Sequence, residues 1–238
     1  LFYTMDNKCT VFSWSLNNDK VEYIENTQTE WRHKWDLDTM YYDVISPCRT
    51  LSEKKVRKAL NLAMTTWDIE IPVKFKSNWN NYRVPQSNIT IDFKSSDEDH
   101  YFRDRPSVLA YAYFPGQGSV SGKVIFNNDY IWSANGKPIS GKDAKERGYV
   151  VDAHDTNQLK TYNIVHVLIH ELGHTLGLRH DEHRNTSDVM DAFYSGKLDL
   201  SNYDLIRIRT KYGIRIWANW ARYSQVKRIV SRIKSRFI

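Results

Sequence analysis

Residues 170–180 have the sequence HELGHTLGLRH, and this stretch decides both the fold and the chemistry. His170 and His174 are four residues apart, about one helical turn, so both imidazoles project from one face of a helix and can bind one ion. Glu171 lies beside them, where it can accept a proton from a water molecule on that ion. The flanking residues Ile164 to Leu172 carry an apolar pattern with helical spacing, which predicts the required helix.

The residues after this helix extend the pattern. Gly177 can adopt a positive φ and turn the chain, and His180 follows three residues later as a third ligand. Three protein ligands leave a fourth coordination position open, as catalytic zinc sites do. The core HExxH recurs by chance, but the form HExxHxxGxxH followed by Met190 is far more restrictive. The sequence therefore predicts one catalytic Zn²⁺ at these three histidines, with Glu171 as general base.

This extended motif resembles the signature of the metzincins, zinc endopeptidases in which a Met-turn lies beneath the metal; Met190 matches that methionine. Within the metzincins, residues 35–213 resemble a matrixin (matrix metalloproteinase) catalytic domain. Further matches are Thr66-Trp67, residues 108–113 (VLAYAY) and Lys211-Tyr212-Gly213. The resemblance implies an α/β (α+β) metzincin fold, with a twisted, mixed, mostly parallel five-stranded sheet and an active-site helix.

The resemblance also implies how a substrate binds. Leu109 and Ala110 fall on the edge strand that pairs with an extended peptide through main-chain hydrogen bonds. Residues 192–194 take the place of the pocket wall, where Tyr194 matches the family and Ala192 replaces a proline. Protein substrates of the extracellular matrix and a secreted, extracellular protein are what this resemblance implies.

Three departures from the matrixin pattern point to a divergent lineage, viral or invertebrate. Tyr111 and Ile125 stand where the family has histidines of a second, structural zinc, so we expect that site to be absent. Residues 127–130 (NNDY) replace a run of calcium-binding carboxylates, so we expect calcium binding to be weak or lost. Asp181 follows the third histidine, where matrixins usually have serine.

The other elements follow from periodicity and turn residues. Ser52 begins a helix whose apolar face includes Leu60 and Trp67. Asn163 lies inside a helix predicted from about Gln158 to Leu176. Predicted strands lie within residues 35–44, 88–93, 108–114 and 123–126, a surface loop covers 133–157, and a further helix spans 201–212.

Composition and charge divide the chain into three parts. The 238 residues are 41% hydrophobic and 26% charged, as in a soluble globular protein. Seven basic residues and no acid follow Ile214, which leaves the preceding residues with a net charge near −1 and argues against nucleic-acid binding. We expect an N-terminal arm or pro-segment remnant at 1–32, a catalytic domain at 33–213 and a basic helical tail at 214–238.

The tail has two interpretations. Large apolar residues recur at helical spacing between the basic ones, which predicts a basic amphipathic helix suited to a membrane surface or to self-association through residues 215–238. Alternatively, the apolar face packs on the catalytic domain, since so many large apolar residues seldom stay exposed.

Two cysteines and one further histidine have more than one interpretation. Cys9 and Cys48 can form a disulfide or remain free thiols. Cys9 also precedes the domain, as does the pro-segment cysteine that occupies the zinc in matrixin zymogens, but its neighbours do not match that motif, so a disulfide or free thiol is preferred. His166, one turn before His170, is interpreted as a core or supporting residue because three histidines and water already complete a tetrahedral site.

Two rival functions remain open. One is a metzincin-fold protein that has lost proteolysis and serves a structural or assembly role, although the presence of Glu171 argues against it. The other is a membrane-binding protein that acts through its C-terminal helix.

Overall fold

The computed structural model describes residues 33–79, 86–135, 137, 139–140, 142, 161–181, 188–217 and 220–235, and the backbone of 12–13 and 158–159. Cys9, which sequence analysis considers as a zymogen ligand, and most of the arm lie outside these residues.

The central sheet confirms the predicted mixed, mostly parallel arrangement. Strand β2 is parallel to β3 and β4, β4 is parallel to β6, and β5 runs antiparallel to β6. A two-residue strand, β1, adds antiparallel to the outer side of β5, so the order is β1-β5-β6-β4-β2-β3. The bounds are Phe12–Ser13 for β1, Thr39–Val44 for β2, Lys74–Ser77 for β3, Ile89–Lys94 for β4, Ala110–Ala112 for β5 and Lys123–Asn127 for β6.

The alternation of buried and half-buried side chains along β4 shows which face of this strand points into the core. Ile89, Ile91 and Phe93 of β4 are buried, whereas the residues between them are half-buried. Strand β5 is shorter than the predicted 108–114 and β2 is shorter than 35–44, because only residues 110–112 and 39–44 have strand partners in the described chain.

Two helices pack against each other and against the sheet. Helix α1 spans Glu53–Asp68 and α3 spans Ile164–Thr175. The indole Nε1 of Trp67 donates a hydrogen bond to the main-chain oxygen of Ile169, 3.0 Å away, and joins the two helices. Ser52 is the N-cap residue of α1, although its side chain makes no capping hydrogen bond. The short helix α2 spans His100–Asp104.

Helix α3 begins later than its apolar pattern predicts, and the predicted start at Gln158 is wrong. Two pairs of short strands precede the helix instead. Strand β7 (Trp132–Ser133) is parallel to β10 (Tyr162–Asn163), and β8 (Ile139–Ser140) is antiparallel to β9 (Gln158–Leu159). The segment predicted as a surface loop, 133–157, thus contains β8 and the second residue of β7, and β9 begins directly after it.

The C-terminal part forms two helices. Helix α4 spans Asn202–Tyr212; Ser201 and Asp204 form a capping box at its start, and Gly213 follows its end with φ 85°. Helix α5 spans Trp220–Lys234, as the tail pattern predicts, and its buried residues Tyr223 and Val230 face the domain. Among the described residues, no helix has both the length and the apolar character of a membrane span.

Candidate metal centre

Helix α3 carries the candidate site into the middle of the molecule. The Oδ1 atom of Asn163 caps the helix by accepting hydrogen bonds from the main-chain nitrogens of Val165 (2.9 Å) and His166 (3.4 Å). All twelve residues of α3 are buried. Its histidines and Glu171 are therefore polar groups inside a hydrophobic core, and such groups require partners.

The turn after α3 returns the chain towards the helix. Gly177 has φ 87°, and the Leu178 nitrogen donates to the Gly173 oxygen at 2.9 Å, which closes the C-terminus of the helix. A Cβ atom at Gly177 would overlap the main-chain oxygen of His33, so the position requires glycine for space as well as for φ. This turn places His180 opposite the two helical histidines.

The three predicted histidines converge on one point. Their Nε2 atoms are 3.0 Å apart for His170 and His174, 3.1 Å for His170 and His180, and 3.2 Å for His174 and His180. All three side chains are buried. Among the described residues, these three side chains form the group that is arranged to hold a metal ion.

Main-chain carbonyl groups determine which ring nitrogens face the centre. The Nδ1 atom of His170 lies 2.7 Å from the Val189 oxygen, and the Nδ1 atom of His174 lies 2.7 Å from the Leu178 oxygen. A carbonyl oxygen can only accept, so Nδ1 carries the proton and the Nε2 lone pair faces the centre. This is how metal-binding histidines are usually oriented.

Burial also keeps the rings neutral. It lowers the pKa of His174 to about 4. Burial is likewise the main cause that lowers the pKa values of His170 and His180 well below their usual range, and the neighbouring histidines add to it. Neutral imidazole is the form that binds metal.

These residues fit a zinc ion. The Nε2 lone pairs of His170 and His174 face each other 3.0 Å apart and repel, and a shared cation removes that repulsion. A tetrahedral ion with zinc–nitrogen distances of about 2.0–2.1 Å separates its ligands by roughly 3.3–3.4 Å, close to the spacing here. His170, His174 and His180 would therefore hold the ion with little movement.

Glu171 is a buried carboxyl group next to the first of these histidines. Neither of its side-chain oxygens has a hydrogen-bond partner among the described residues. Burial raises its pKa well above the usual range. A buried carboxyl group without partners is costly in a structural role, and it is suited to exchanging a proton with a substrate or a water molecule.

Met190 packs directly against α3. A Cβ atom at Gly173 would overlap the Met190 sulfur, so the methionine fills the space that glycine leaves beside His174. The carboxylate of Asp204 accepts hydrogen bonds from the nitrogens of Val189 (2.9 Å) and Met190 (3.4 Å), which holds this turn under the helix. Sequence reasoning missed this role of Asp204, although Ser201-x-x-Asp204 has the spacing of a capping box.

His166 and Tyr194 occupy the N-terminal end of α3. The Tyr194 hydroxyl accepts a hydrogen bond from the Asn163 nitrogen at 2.8 Å, and its ring meets the His166 imidazole edge-on with centroids 5.0 Å apart. The Nδ1 atom of His166 is hydrogen-bonded to the Lys197 oxygen. His166 therefore packs beside the segment after Met190 and lies outside the cluster of three.

Leu109 and Ala110 are both buried next to β6, and the outer side of β5 pairs with β1. In that pairing, Ala112 is opposite Phe12 and Tyr111 is opposite Ser13, so residues 109 and 110 lie beyond the two paired positions. Phe114, which sequence reasoning missed, meets the ring of His174 edge-on with centroids 5.8 Å apart. An aromatic residue at the end of a predicted strand carries no signal for such a contact.

The two residues that stand where the family has histidines of a structural zinc pack against other protein residues. Tyr111 and Ile125 pack in an apolar cluster with Phe102 and Val108, and the Tyr111 hydroxyl donates to an Asp99 carboxylate oxygen at 2.6 Å.

In residues 127–130, where we expect calcium binding to be weak or lost, side-chain oxygens accept main-chain hydrogen bonds. That of Asn127 accepts from the Asp129 nitrogen, that of Asn128 from the Arg49 nitrogen, and that of Asp129 from the Ser96 nitrogen. Elsewhere, Cys48 is buried with a free thiol.

Comparison with known proteins identifies relatives along most of the chain. A family model described as matrixin matches residues 30–213. The chain is 28% identical over 211 residues to matrix metalloproteinase-23 of Homo sapiens, covering 82% of this chain and 48% of that protein. It is 29% identical over 189 residues to matrilysin of Rattus norvegicus, covering 76% of this chain and 60% of that protein.

A third relative gives a similar result. Identity to karilysin of Tannerella forsythia is 27% over 186 residues, covering 76% of this chain and 33% of that protein. The chain thus spans from about a third to 60% of the length of these three relatives. Helix α5 lies beyond the residues that the family model matches.

Proposed function

Because this chain belongs to the matrixin family of metalloproteases, we propose that it is a zinc-dependent endopeptidase that hydrolyses peptide bonds of proteins. The observation that supports this most strongly is the convergence of three neutral imidazoles, 3.0–3.2 Å apart at Nε2, beside a buried carboxyl group. A closed structural site would use a fourth protein ligand, and the cluster found among the described residues contains three.

In this proposal each residue of the centre has a separate task. His170, His174 and His180 hold the ion, and Met190 supports the helix beneath them. A zinc ion bound there would polarise the scissile carbonyl group and lower the pKa of water towards 7. Glu171 accepts the proton of the attacking water and returns it to the leaving amine nitrogen.

The remaining assignments rest on the family resemblance together with the packing. Leu109 and Ala110 would bind an extended peptide along the sheet, and the half-buried Tyr194 would line the pocket for a substrate side chain. The proposed substrates are proteins of the extracellular-matrix type, acted on by a secreted enzyme. The proposed catalytic domain is 33–213, with residues 1–32 as an arm before it.

The packing of α5 favours this function over the membrane-binding alternative. Tyr223 and Val230 are buried against the domain, and Val226 and Ile233 pack against the same core. An apolar face that is covered by protein does not face a lipid surface.

Cleavage of quenched peptides tests the proposal. The parent chain, loaded with zinc, is expected to cleave collagen-like peptides or members of a peptide library, and a zinc chelator abolishes this. Glu171→Gln keeps the size of the side chain and removes the base, so cleavage should fall by about 10²–10⁴-fold while zinc content stays at the parental level. Glu53→Gln, which changes an exposed carboxylate on α1, is the matched control and should cleave as the parent does.

Two results would contradict the proposal. One is full cleavage by Glu171→Gln. The other is a zinc-loaded chain that cleaves nothing both with and without residues 1–32, which would favour the structural or assembly role.

A further inference from the structure

The segment 191–200, called here the flanking segment, runs from the Met190 turn to α4 beside the candidate site. It contains no helix or strand, so its position depends on individual hydrogen bonds and on the packing of Leu198, Tyr194 and Leu200 in the main core. Near its start, the ring of Tyr194 packs on His166 of α3. Near its end, the Lys197 oxygen is bound by His166 Nδ1, and the next main-chain oxygen, that of Leu198, accepts from Lys234 Nζ at 2.6 Å.

Two helices therefore hold consecutive carbonyl groups of this segment. His166 belongs to α3, which also carries His170 and His174, two of the three candidate zinc ligands, and Lys234 belongs to the last turn of α5. The position of the segment relative to the metal centre thus depends on a helix beyond residues 30–213, the part that matches the family model.

Helix α5 is itself anchored at other points. Glu70 is a buried carboxylate two residues after the end of α1. It accepts hydrogen bonds from Tyr223 and Lys227 at 3.1 Å and is also paired with Arg209. Val230 belongs to the main core cluster. Because these contacts hold α5 in place independently of the flanking segment, they also fix the position from which the Lys234 side chain extends.

A contribution to the stability of the fold does not account well for the buried charge of Lys234. Its side chain is 5% exposed, and its acidic partner Asp199 is 78% exposed, so the ammonium group is desolvated while the carboxylate remains in water. Apolar residues of similar size are often neutral or stabilising replacements for buried charged groups. What the ammonium group supplies, and an apolar side chain cannot, is a directed hydrogen bond to one carbonyl group of the flanking segment.

We propose that Lys234 is a positioning residue that fixes the flanking segment beside the metal centre and thereby sets which substrate side chains the site accepts. This rests on the proposed endopeptidase function. The half-buried residues Ala192, Phe193 and Tyr194 lie in this segment, so a shift of the segment changes the shape of the wall that they form. Loss of the hydrogen bond should leave the zinc ligands in place and alter the choice among apolar substrate side chains.

Two variants of the full-length chain provide the test. Lys234→Met removes the hydrogen-bond donor and keeps an unbranched side chain of similar length. Arg232→Met removes one positive charge from the same turn of α5, but its side chain is exposed, so it is the matched control. Thermal unfolding of both variants should stay close to the parent, which separates positioning from stability.

Amide hydrogen exchange is the first measurement and requires no activity. Exchange in residues 191–200 should be at least tenfold faster in Lys234→Met than in the parent, with α3 and α4 unchanged, and should be unchanged in Arg232→Met. An unaltered rate in Lys234→Met, or equal acceleration in both variants, would overturn the proposal. If the zinc-loaded chain cleaves no peptide either with or without residues 1–32, the proposed function fails, whereas exchange still decides whether Lys234 holds the segment.

Substrate profiling is the second measurement. Across a peptide library that varies one side chain at a time, the ratio of kcat/KM values for the two best apolar side chains should change at least fivefold in Lys234→Met, with zinc content unchanged. Accelerated exchange together with an unchanged ratio would also overturn the proposal, because the segment would then move without affecting substrate choice.

Discussion

At the scale of single residues, Gly173 and Met190 are fitted to each other. Gly173 is one of the two variable positions of HExxH, and nothing in zinc chemistry requires a glycine there. In the structure, a Cβ atom at this position would overlap the Met190 sulfur and lie 3.2 Å from a ring carbon of Trp67. The glycine therefore permits the close approach of the methionine turn, which carries Val189, the partner of His170.

Gly173→Ala tests this close approach. Alanine favours helix over glycine by about 1 kcal/mol, but here its methyl group would force Met190 and the turn away from α3. We expect a loss of about 1–3 kcal/mol in the free energy of unfolding, typical of overpacking, and weaker zinc binding. Urea denaturation and zinc titration against a competing chelator measure the two effects.

The double variant Gly173→Ala/Met190→Ala is the control for this prediction. With the sulfur removed, the added methyl group has space, so Gly173→Ala should cost little in that background, and the two substitutions should not be additive. Equal costs in both backgrounds would show that the contact with Met190 does not account for the glycine.

At the scale of elements, α3 shows what sequence can and cannot predict. Its apolar face and its end shortly before Gly177 follow from local pattern, because helical spacing and positive φ are local properties. Its start does not, because residues 158–159 and 162–163 pair with strands that begin at Ile139 and Trp132. The predicted helix extended too far because apolar residues before Asn163 serve strand pairing.

The same distinction applies to the site. The three histidines and Glu171 are predictable because ligand chemistry restricts residue type and spacing. The carbonyl groups of Val189 and Leu178, which orient two of the rings, belong to the main chain and have no sequence signature. The contact of Lys234 with residue 198 joins positions 36 residues apart, and no local pattern indicates it.

The turn after α3 leads to a matched pair of glycine substitutions. Gly177 and Gly213 both follow helices with nearly equal φ values, 87° and 85°, but a Cβ atom overlaps the His33 oxygen at Gly177 and meets nothing within 4 Å at Gly213. Gly213→Ala should cost roughly 1–2 kcal/mol from backbone strain alone. Gly177→Ala should cost clearly more and should weaken zinc binding, because the turn places His180.

Urea denaturation and zinc titration of both variants check this expectation. Equal destabilisation of the two variants would mean that φ alone requires glycine at residue 177. Unchanged zinc affinity in a destabilised Gly177→Ala would mean that the turn does not position His180.

At the scale of the whole molecule, the basic charge of the C-terminal segment is partly neutralised by the domain. Arg215 pairs with Asp68 at 3.1 Å, and Lys227 and Lys234 pair with Glu70 and Asp199. The sequence shows the excess of basic residues but not these partners, since they lie in distant parts of the chain. Residues 215–217 and 220–235 are therefore expected to unfold together with the domain as one cooperative unit.

Substitutions at two neighbouring residues of α5 test whether this helix unfolds together with the domain. Val230 is 5% exposed and belongs to the core, whereas Ile229, the larger residue, is 49% exposed. Val230→Ala should lower the free energy of unfolding by about 1.5–3 kcal/mol, the cost of removing buried carbon atoms from a packed site. Ile229→Ala removes more atoms but should cost less than about 0.5 kcal/mol, as surface substitutions do. Urea denaturation of the zinc-loaded chain distinguishes the two cases. If α5 completes the domain, the chain unfolds in a single transition, and the midpoint shifts for Val230→Ala alone. Small and similar midpoint shifts for both variants would mean that the helix folds separately from the domain.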